Sequence, residues 1–491
     1  MGKGLGGFVS PGEAAMLEGK SPSVKIPLPP LRRSSSDLWF LSYLPLALSD
    51  GLSTPLIPLI AIARYDPSPF VVTAIIAAST VFEVPCMILW GNLSDRVRHR
   101  KWFLVASFGA TGLLLFLMSI PTSIGNYFLL NLAEGIASAA GAPVGTVLLL
   151  ETRNKRWWAR DLGLFGLISG FGAVLGLVVG SVWFILGTPA GTQFNGAYAI
   201  EAMRWLLALS GALAIGGAFT AAAWVEEPHS LLSRASLGEF GIGDHGVIER
   251  LRRTRRRVLH VIDLTRGLPQ RIPAGEYSFL AAMLVMSIGF QVFYGPFPVF
   301  LTSGVPQGAY LSQQYIFMIY LASAAFATGL FYHSGIAVEL SNPKWVFIAS
   351  LLARAALVPL FFLVPHLVPG TSSGAVLDRT MLLVGLNGAM GVTWAFLSTA
   401  STLFLLRLVH GRARGKALGW YNALAGLGGL AGTLWGGLLY GWYGVETNFL
   451  ISTVIVLVGA ALLLTIRFHT TPFEPRPPEA LTRRVSRRFA G

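Results

Sequence analysis

Long apolar stretches alternate with short polar segments along almost the whole sequence. Each stretch has about 20 residues or more, the length that an α-helix needs to cross the hydrocarbon core of a bilayer. The pattern predicts twelve transmembrane helices, here called spans 1 to 12, so the expected fold class is an all-α integral membrane protein. The spans lie at residues 38–63, 69–90, 102–121, 125–150, 161–187, 200–224, 277–302, 311–335, 345–368, 377–407, 416–441 and 447–468.

The composition agrees with a membrane protein. Hydrophobic residues make up 53% of the chain and charged residues only 12%, whereas a soluble domain carries about 25% charged residues. The first apolar run is too long for a cleaved signal peptide, and residues 1–36 read as a disordered tail. The single cysteine, Cys86, lies within span 2. It excludes an intrachain disulfide, and we expect no metal and no cofactor.

The basic residues lie mainly in the termini and in loops on one side of the membrane, and this placement does not indicate a nucleic-acid-binding surface. The net charge is +14, and all but four of the 37 Lys and Arg residues lie in the termini or in loops after even-numbered spans. This is the positive-inside pattern. It predicts a multi-pass protein of the cell membrane with both termini in the cytoplasm, and it accounts for the charge without a nucleic-acid partner. The four exceptions are Arg64, Arg204, Arg354 and Arg379.

The sequence repeats itself. A shift of 256 residues places Asn131 on Asn387 and Gly135 on Gly391, and a shift of 243 places "KWFLVAS" (101–107) on "KWVFIAS" (344–350). The repeat predicts two six-helix bundles. The expected domains are a tail (1–36), a first bundle (37–225), a basic linker (226–275), a second bundle (276–470) and a tail (471–491).

The linker contains a basic amphipathic segment at residues 247–264. A helix of this kind is typical of a surface that lies on the anionic lipids of the inner leaflet. A solvated linker helix that only helps to set the topology explains the pattern equally well.

The turn between spans 2 and 3 carries a dense charge cluster, in "WGNLSDRVRHRKWF" at residues 90–103. It resembles the signature G-x-L-[AS]-D-R-x-G-[RK]-[RK] of the major facilitator superfamily of secondary transporters. The matching residues are Gly91, Leu93, Ser94, Asp95, Arg96 and Arg100. The resemblance implies two bundles that move by alternating access and carry a small-molecule substrate.

The resemblance also implies a cytoplasmic gate. In similar transporters the aspartate of the signature contacts the other half near the start of span 11, where a helix dipole and guanidinium groups stabilise a carboxylate. A role in topology alone is the alternative. The expected gate residues are Gly91, Asp95, Arg96, Arg100, Arg153 and Arg156.

Span 1 is similar to the proline-bearing first helix of drug-exporter-like members, with Pro55 and Pro58. Such prolines line a cavity or simply kink the helix. The sequence departs from the pattern of proton-coupled exporters at two positions. Asn131 stands where proton-coupled exporters carry an arginine, and Phe171 follows Gly170 where they carry a Gly-Pro pair.

Ionisable residues within the spans are candidates for function, because they are costly in lipid. Asp50 in span 1, Glu134 in span 4 and Glu83 in span 2 are the candidates for handling protons or a cation. For Asp50 and Glu134 the alternative is a helix–helix contact, and for Glu83 it is the charge network of the signature turn.

Further residues are candidates for lining the cavity. Arg354 could bind an anionic substrate, or it could snorkel or pair locally. The aromatic candidates could instead serve packing. The full set is Pro55, Pro58, Asn131, Gln291, Tyr294, Arg354, Asn387 and Trp394.

No enzyme motif stands out, since H-E-x-x-H is lacking and Gly19-Lys20-Ser21 lacks the first glycine of a phosphate-binding loop. The function predicted is a monomeric secondary transporter, not an enzyme, that exports an apolar or cationic compound in a proton-linked manner. The alternatives are an importer or uniporter of a sugar, amino acid or organic acid, and a non-transporting membrane sensor on the same fold.

Overall fold

The computed structural model describes residues 41–97, 100–120, 123–141, 144, 145, 148, 158–187, 194–225, 274–409 and 414–466. This part of the chain is helical and contains no strand. Its helices are α1 (Tyr43–Tyr65), α2 (Pro69–Val97), α3 (Arg100–Ser119), α4 (Ile124–Ser138), α5 (Trp158–Gly187), α6 (Ala197–Trp224), α7 (Ala274–Tyr294), α8 (Phe297–Thr302), α9 (Gln313–Leu340), α10 (Pro343–Leu367), α11 (Ser373–Leu408) and α12 (Arg414–Leu464).

The all-α membrane fold is confirmed, while the count of twelve spans stays a prediction. Ten helices in the described ranges are long and apolar enough to cross a bilayer. This number counts spans 11 and 12 together. The label α12 covers two helices that meet at a kink at Gly444 (φ 80°), a backbone conformation that glycine adopts without strain. Span 4 is described only as α4 and a few residues beyond it.

The signature turn is shorter than predicted. Helix α2 continues to Val97 and α3 starts at Arg100, so Asp95 and Arg96 belong to the last turn of α2 rather than to a loop. Hydropathy marks only the apolar part of a helix. The backbone hydrogen bonds continue past it, because arginine and leucine are good helix formers.

The predicted tails and the basic linker lie outside the described residues.

Three helices begin with a side-chain cap that satisfies a free backbone N–H group. Ser123 accepts from the Asn126 amide (3.3 Å), Asn342 from Lys344 (3.0 Å) and Ser372 from Ala375 (3.3 Å).

Glycines let helices of the same half approach each other closely, as expected where lipid offers no hydrophobic drive. In the first half, Gly172 and Gly176 of α5 pack on the backbone of α1 at Leu44 and Leu48. In the second half, a corresponding pair of α12 glycines, Gly428 and Gly432, packs on the backbone of α7 at Leu284 and Ile288.

The asparagines of the repeat hold equivalent helix pairs together. The Asn131 side-chain amide donates to the Ile75 carbonyl of α2 (2.5 Å), and the Asn387 amide donates to the Ile319 carbonyl of α9 (2.7 Å). Gly135 and Gly391, one turn further along, lie against the backbones of Ser79 and Ser323. Residues that repeat in the sequence therefore make equivalent helix contacts in the two halves.

The two halves share one apolar core at one end of the bundle, here called the packed end. This core joins residues of α1 to α6 to residues of α7 to α12, among them Leu56, Phe184, Phe297, Phe317 and Phe449. The rings of Phe184 and Phe317 meet across the two halves at 5.5 Å. Nearby, the Gln313 amide donates to the Phe194 carbonyl (3.1 Å).

At the other end, here called the open end, the halves have separate cores. One cluster contains only first-half residues such as Tyr43, Leu104 and Phe108, and another contains only second-half residues such as Phe279 and Phe347. The contacts between halves run mainly along α2–α12 and α5–α9. Within the described ranges, the two halves are therefore joined at the packed end and have separate apolar cores at the open end.

Candidate functional site

A cavity of about 350 Å³ lies within the first half, toward the open end. Helices α1 to α5 contribute side chains to it, and residues just beyond α4 complete it. Its lining consists of Tyr43, Leu46, Asp50, Ser79, Met87, Ser107, Thr111, Glu134, Gly135, Ser138, Gly141, Phe165 and Ser169.

Asp50 reaches this cavity because its neighbours in α1 fix the orientation of the helix. Ser49 is buried and its hydroxyl lies 2.8 Å from the hydroxyl of Ser210 in α6. Gly51 packs on the backbone of α5 at Ala173. The Asp50 side chain is exposed to the cavity. Its carboxylate has no hydrogen-bond or ion-pair partner in the described part of the chain.

Glu134 enters the same cavity from α4, where it is half-buried. The next residue, Gly135, lets α4 lie directly against α2 at Ser79, which brings the glutamate to the inner face. Two of the three carboxylates predicted from the sequence are thus brought together, although 84 positions separate them. The third, Glu83, lies in α2, and its side chain is outside the described set.

Four predicted cavity residues lie elsewhere. Asn131 and Asn387 are 1% and 2% exposed at the helix contacts described above, so the structure gives them a packing role. Pro55 and Pro58 are buried within α1, which remains helical through both. They pack toward the packed end, because the residues between and after them in α1 belong to the shared core.

Unlike span 1, span 7 is interrupted at a proline, Pro296. Helix α7 ends at Tyr294, and α8 starts at Phe297 after Gly295 and Pro296. Proline lacks a backbone N–H and clashes with the preceding turn, which explains the break. Gln291, in the last turn of α7, accepts a hydrogen bond from Thr433 of α12 (3.4 Å).

Arg354 of α10 lies in an aromatic box rather than in the cavity. The guanidinium carbon is 4.7, 5.4 and 5.3 Å from the ring centres of Phe290, Tyr294 and Trp394. Its Nη2 donates to the Tyr294 hydroxyl (2.7 Å). The arginine is 3% exposed, and its Nε and Nη1 have no partner among the described residues. Anion binding, snorkelling and local pairing were the roles predicted for Arg354. Local pairing fits this geometry, because cation–π contacts with the aromatic rings stabilise the guanidinium in place of a carboxylate.

The predicted gate is only partly within the described structure. Gly91, Asp95 and Arg96 belong to the last turns of α2, but their side chains are not described. Arg100 is buried at the first position of α3. Arg153 and Arg156 lie outside the described residues, so the gate stays a prediction.

The hydroxyl groups of the cavity were not among the residues predicted from the sequence. Ser107 and Thr111 in α3, and Glu134 and Ser138 in α4, are four residues apart, and residues so spaced share one helix face. Polar residues at this spacing in an otherwise apolar span could have indicated the polar wall of the cavity from the sequence.

The family model described as Major Facilitator Superfamily matches residues 39–336 and 308–489. No match is found among curated protein sequences.

Several solved transporters share the fold. A crystal structure of the nucleoside transporter NupG aligns with a TM-score of 0.60 at 15% identity, covering 89% of this chain and 100% of that one. A bacterial homolog of the human lysosomal transporter Spinster, inward-facing and unoccupied, gives 0.62 at 13% identity, covering 89% and 100%. The xylose transporter XylE from E. coli, inward open, gives 0.60 at 13% identity, covering 91% and 98%.

At such identities the structural likeness establishes the fold alone, whereas the family model spans most of the chain. Together with the repeated bundles and the multi-pass architecture, this match shows that the chain belongs to the major facilitator superfamily of small-solute transporters.

Proposed function

We propose that this transporter exports a small cationic or apolar solute in exchange for protons. The observation that carries the proposal is the Asp50 carboxylate, which faces a cavity at the open end without a partner in the described residues. The proline pattern of span 1, similar to that of drug-exporter-like members, points in the same direction.

The physical argument concerns neutralisation. A charged carboxylate in a membrane interior is costly unless it is paired. When the cavity closes and turns to the other side, Asp50 must therefore carry either a proton or a cationic group of the solute. Because one carboxylate cannot hold both, binding of the proton and of the cation exclude each other. The cavity then reorients in one direction with a proton on Asp50 and in the opposite direction with the solute bound to Asp50.

The placement of the basic residues supports the proposed direction. Arg100, Lys344 and Arg407 all lie at helix ends on the open side, and the positive-inside bias assigns that side to the cytoplasm. The cavity would then load from the cytoplasm, as export requires. Protons entering from the outside would reset it.

Alternating access would exchange the two ends. The shared core at the packed end would separate, and the α2–α12 and α5–α9 seams would close at the open end. Asp95 lies at the open end of α2, the helix that packs along α12. In the closed state its carboxylate would meet the start of α12 and serve as the latch.

The test is a thermal-shift panel on the purified chain, followed by transport in liposomes. The panel contains primary amines, lipophilic cations, sugars, amino acids and organic acids, since a ligand of the native state raises the melting temperature. Compounds that bind are then assayed for uptake driven by a pH gradient. Asp50→Asn is compared with Asp378→Asn, which removes an exposed carboxylate at the start of α11, outside the cavity.

We expect a cationic compound to bind and to accumulate with the pH gradient, with both effects lost in Asp50→Asn and kept in Asp378→Asn. Binding of a sugar or an organic acid that is indifferent to Asp50 would overturn the proposal and favour an importer or uniporter.

A further inference from the structure

Most of the hydroxyl groups that line the cavity already donate their proton within the protein. Six of its side chains carry hydroxyl groups, and four of these donate their only proton to a backbone carbonyl. The bonds run from Tyr43 to Gly141 (3.1 Å), from Ser79 to Ile76 (3.1 Å), from Ser107 to Ala137 (2.7 Å) and from Ser138 to Gly135 (3.3 Å).

A hydroxyl that has donated its proton offers only oxygen lone pairs to a ligand. The carboxylate of Asp50 adds further acceptors, and none of the described lining residues is basic. The described lining of the cavity therefore presents an excess of acceptors over donors.

Thr111 adds an independent observation. Its side chain lines the cavity, is 1% exposed, and has a hydroxyl without any partner in the described part of the chain. A buried polar group without a hydrogen bond costs free energy. The position in α3 leaves this group one turn from Ser107, on the same face, where a bound ligand would satisfy it.

We propose that the ligand of this cavity is a donor-rich organic cation, a primary ammonium or a guanidinium on a small apolar body. This inference rests on the proposed function and narrows its substrate class. A primary ammonium brings three N–H donors and a guanidinium five, which match the acceptors. The apolar body would lie against the remaining lining, which includes Leu46, Met87 and Phe165. A quaternary ammonium carries the same charge without a donor and would leave the acceptors unpaired.

The experiment compares two probes with the same charge and the same alkyl chain, hexylammonium, which has three N–H donors, and hexyltrimethylammonium, which has a larger head group and no donor. Binding to the purified full chain is measured by thermal shift and by titration calorimetry, for the native chain and for the Thr111→Val and Asp50→Asn variants. Thr393→Val is the matched control, because it removes a hydroxyl that donates to Met390 within α11 (2.8 Å), outside the cavity lining.

We expect hexylammonium to bind about tenfold or more tightly than the quaternary probe, since hydrogen bonds to a charged group are among the stronger ones. Thr111→Val should weaken hexylammonium about tenfold and leave the quaternary probe unchanged. Without ligand, the same variant should melt at the same or a higher temperature, because it removes an unpaired buried hydroxyl. Thr393→Val should not change the affinity of either probe.

The outcomes separate the two proposals. If both probes bind equally and both are lost in Asp50→Asn, the donor-rich inference is wrong and the cation site at Asp50 stands. If neither probe binds, or if binding ignores Asp50→Asn, the proposed cation site fails and the inference fails with it.

Discussion

Three equivalent positions carry different chemistry in the two halves. In the first half they line the cavity, whereas in the second half they form the cation–π cluster. The pairs are Asp50 and Phe290, Thr111 and Arg354, and Ser138 and Trp394.

The equivalence rests on the sequence repeat and on the contacts. The shift of 243 residues relates Thr111 to Arg354, and the shift of 256 relates Ser138 to Trp394. For Asp50 it follows from the glycine contacts, since the α5 glycines meet Leu44 and the α12 glycines meet Leu284 at the corresponding place.

One helical framework therefore supports an open site in the first half and a filled site in the second half. The residues that set the helix distances, an asparagine and a glycine one turn apart, are the same in both halves. The inward-facing residues differ in size. Small side chains leave space for a solute, and large aromatic side chains fill that space with protein.

The largest expected effect comes from breaking what the halves share. Gly135→Ala and Gly391→Ala each place a methyl group against a backbone carbonyl of the neighbouring helix, so each should lower the stability by about 3 kcal/mol. Fluorescence-detected size exclusion after heating would measure both variants.

Gly385→Ala is the control, since it lies in the same helix as Gly391 with nothing within 4 Å. It should be neutral or stabilising by up to about 1 kcal/mol. An equal loss in the control would show that close packing is not the reason.

An intermediate effect is expected from the filled site. Arg354→Ala removes the side chain that holds the aromatic rings together and should cost about 3 kcal/mol. Arg354→Met keeps most of the volume and removes a buried charge with two unpaired nitrogens, so it should cost less than about 1 kcal/mol.

Both arginine variants are followed by thermal melting and by the binding assay. If Arg354→Met keeps its melting temperature but loses ligand binding, the second half also contributes to the site, and the contrast between the halves does not hold.

The smallest effect concerns two lysines at equivalent positions. The Lys344 ammonium donates to the carbonyls of Leu464 (3.3 Å) and Ile466 (2.6 Å), at the end of the last helix. Lys344→Met should therefore cost about 1.5 kcal/mol.

Lys101, its counterpart in the first half, lies near the ring of Trp102 (6.0 Å). Lys101→Met should change stability by no more than about 0.5 kcal/mol. Equal melting temperatures for the two variants would contradict a role of Lys344 in holding the final helix.

Much of the architecture could be predicted from the sequence. Apolar run length predicted the helices, and the repeat predicted equivalent contacts at Asn131 and Asn387. The candidate site was predicted only in part. Asp50 and Glu134 were identified because charges are rare in lipid, whereas Thr111 and the serines were missed, since hydroxyl groups are common in membrane helices.

The helices could be recognised in the amino-acid sequence, because in lipid each helix must satisfy its own backbone hydrogen bonds, and this depends on local composition. Which polar residues meet, which half holds the cavity and which end is closed became visible only in the folded molecule. These features depend on contacts between helices far apart in the chain. Whether two helices approach or leave a space is set by the side chains of both, and no single stretch of sequence contains that information.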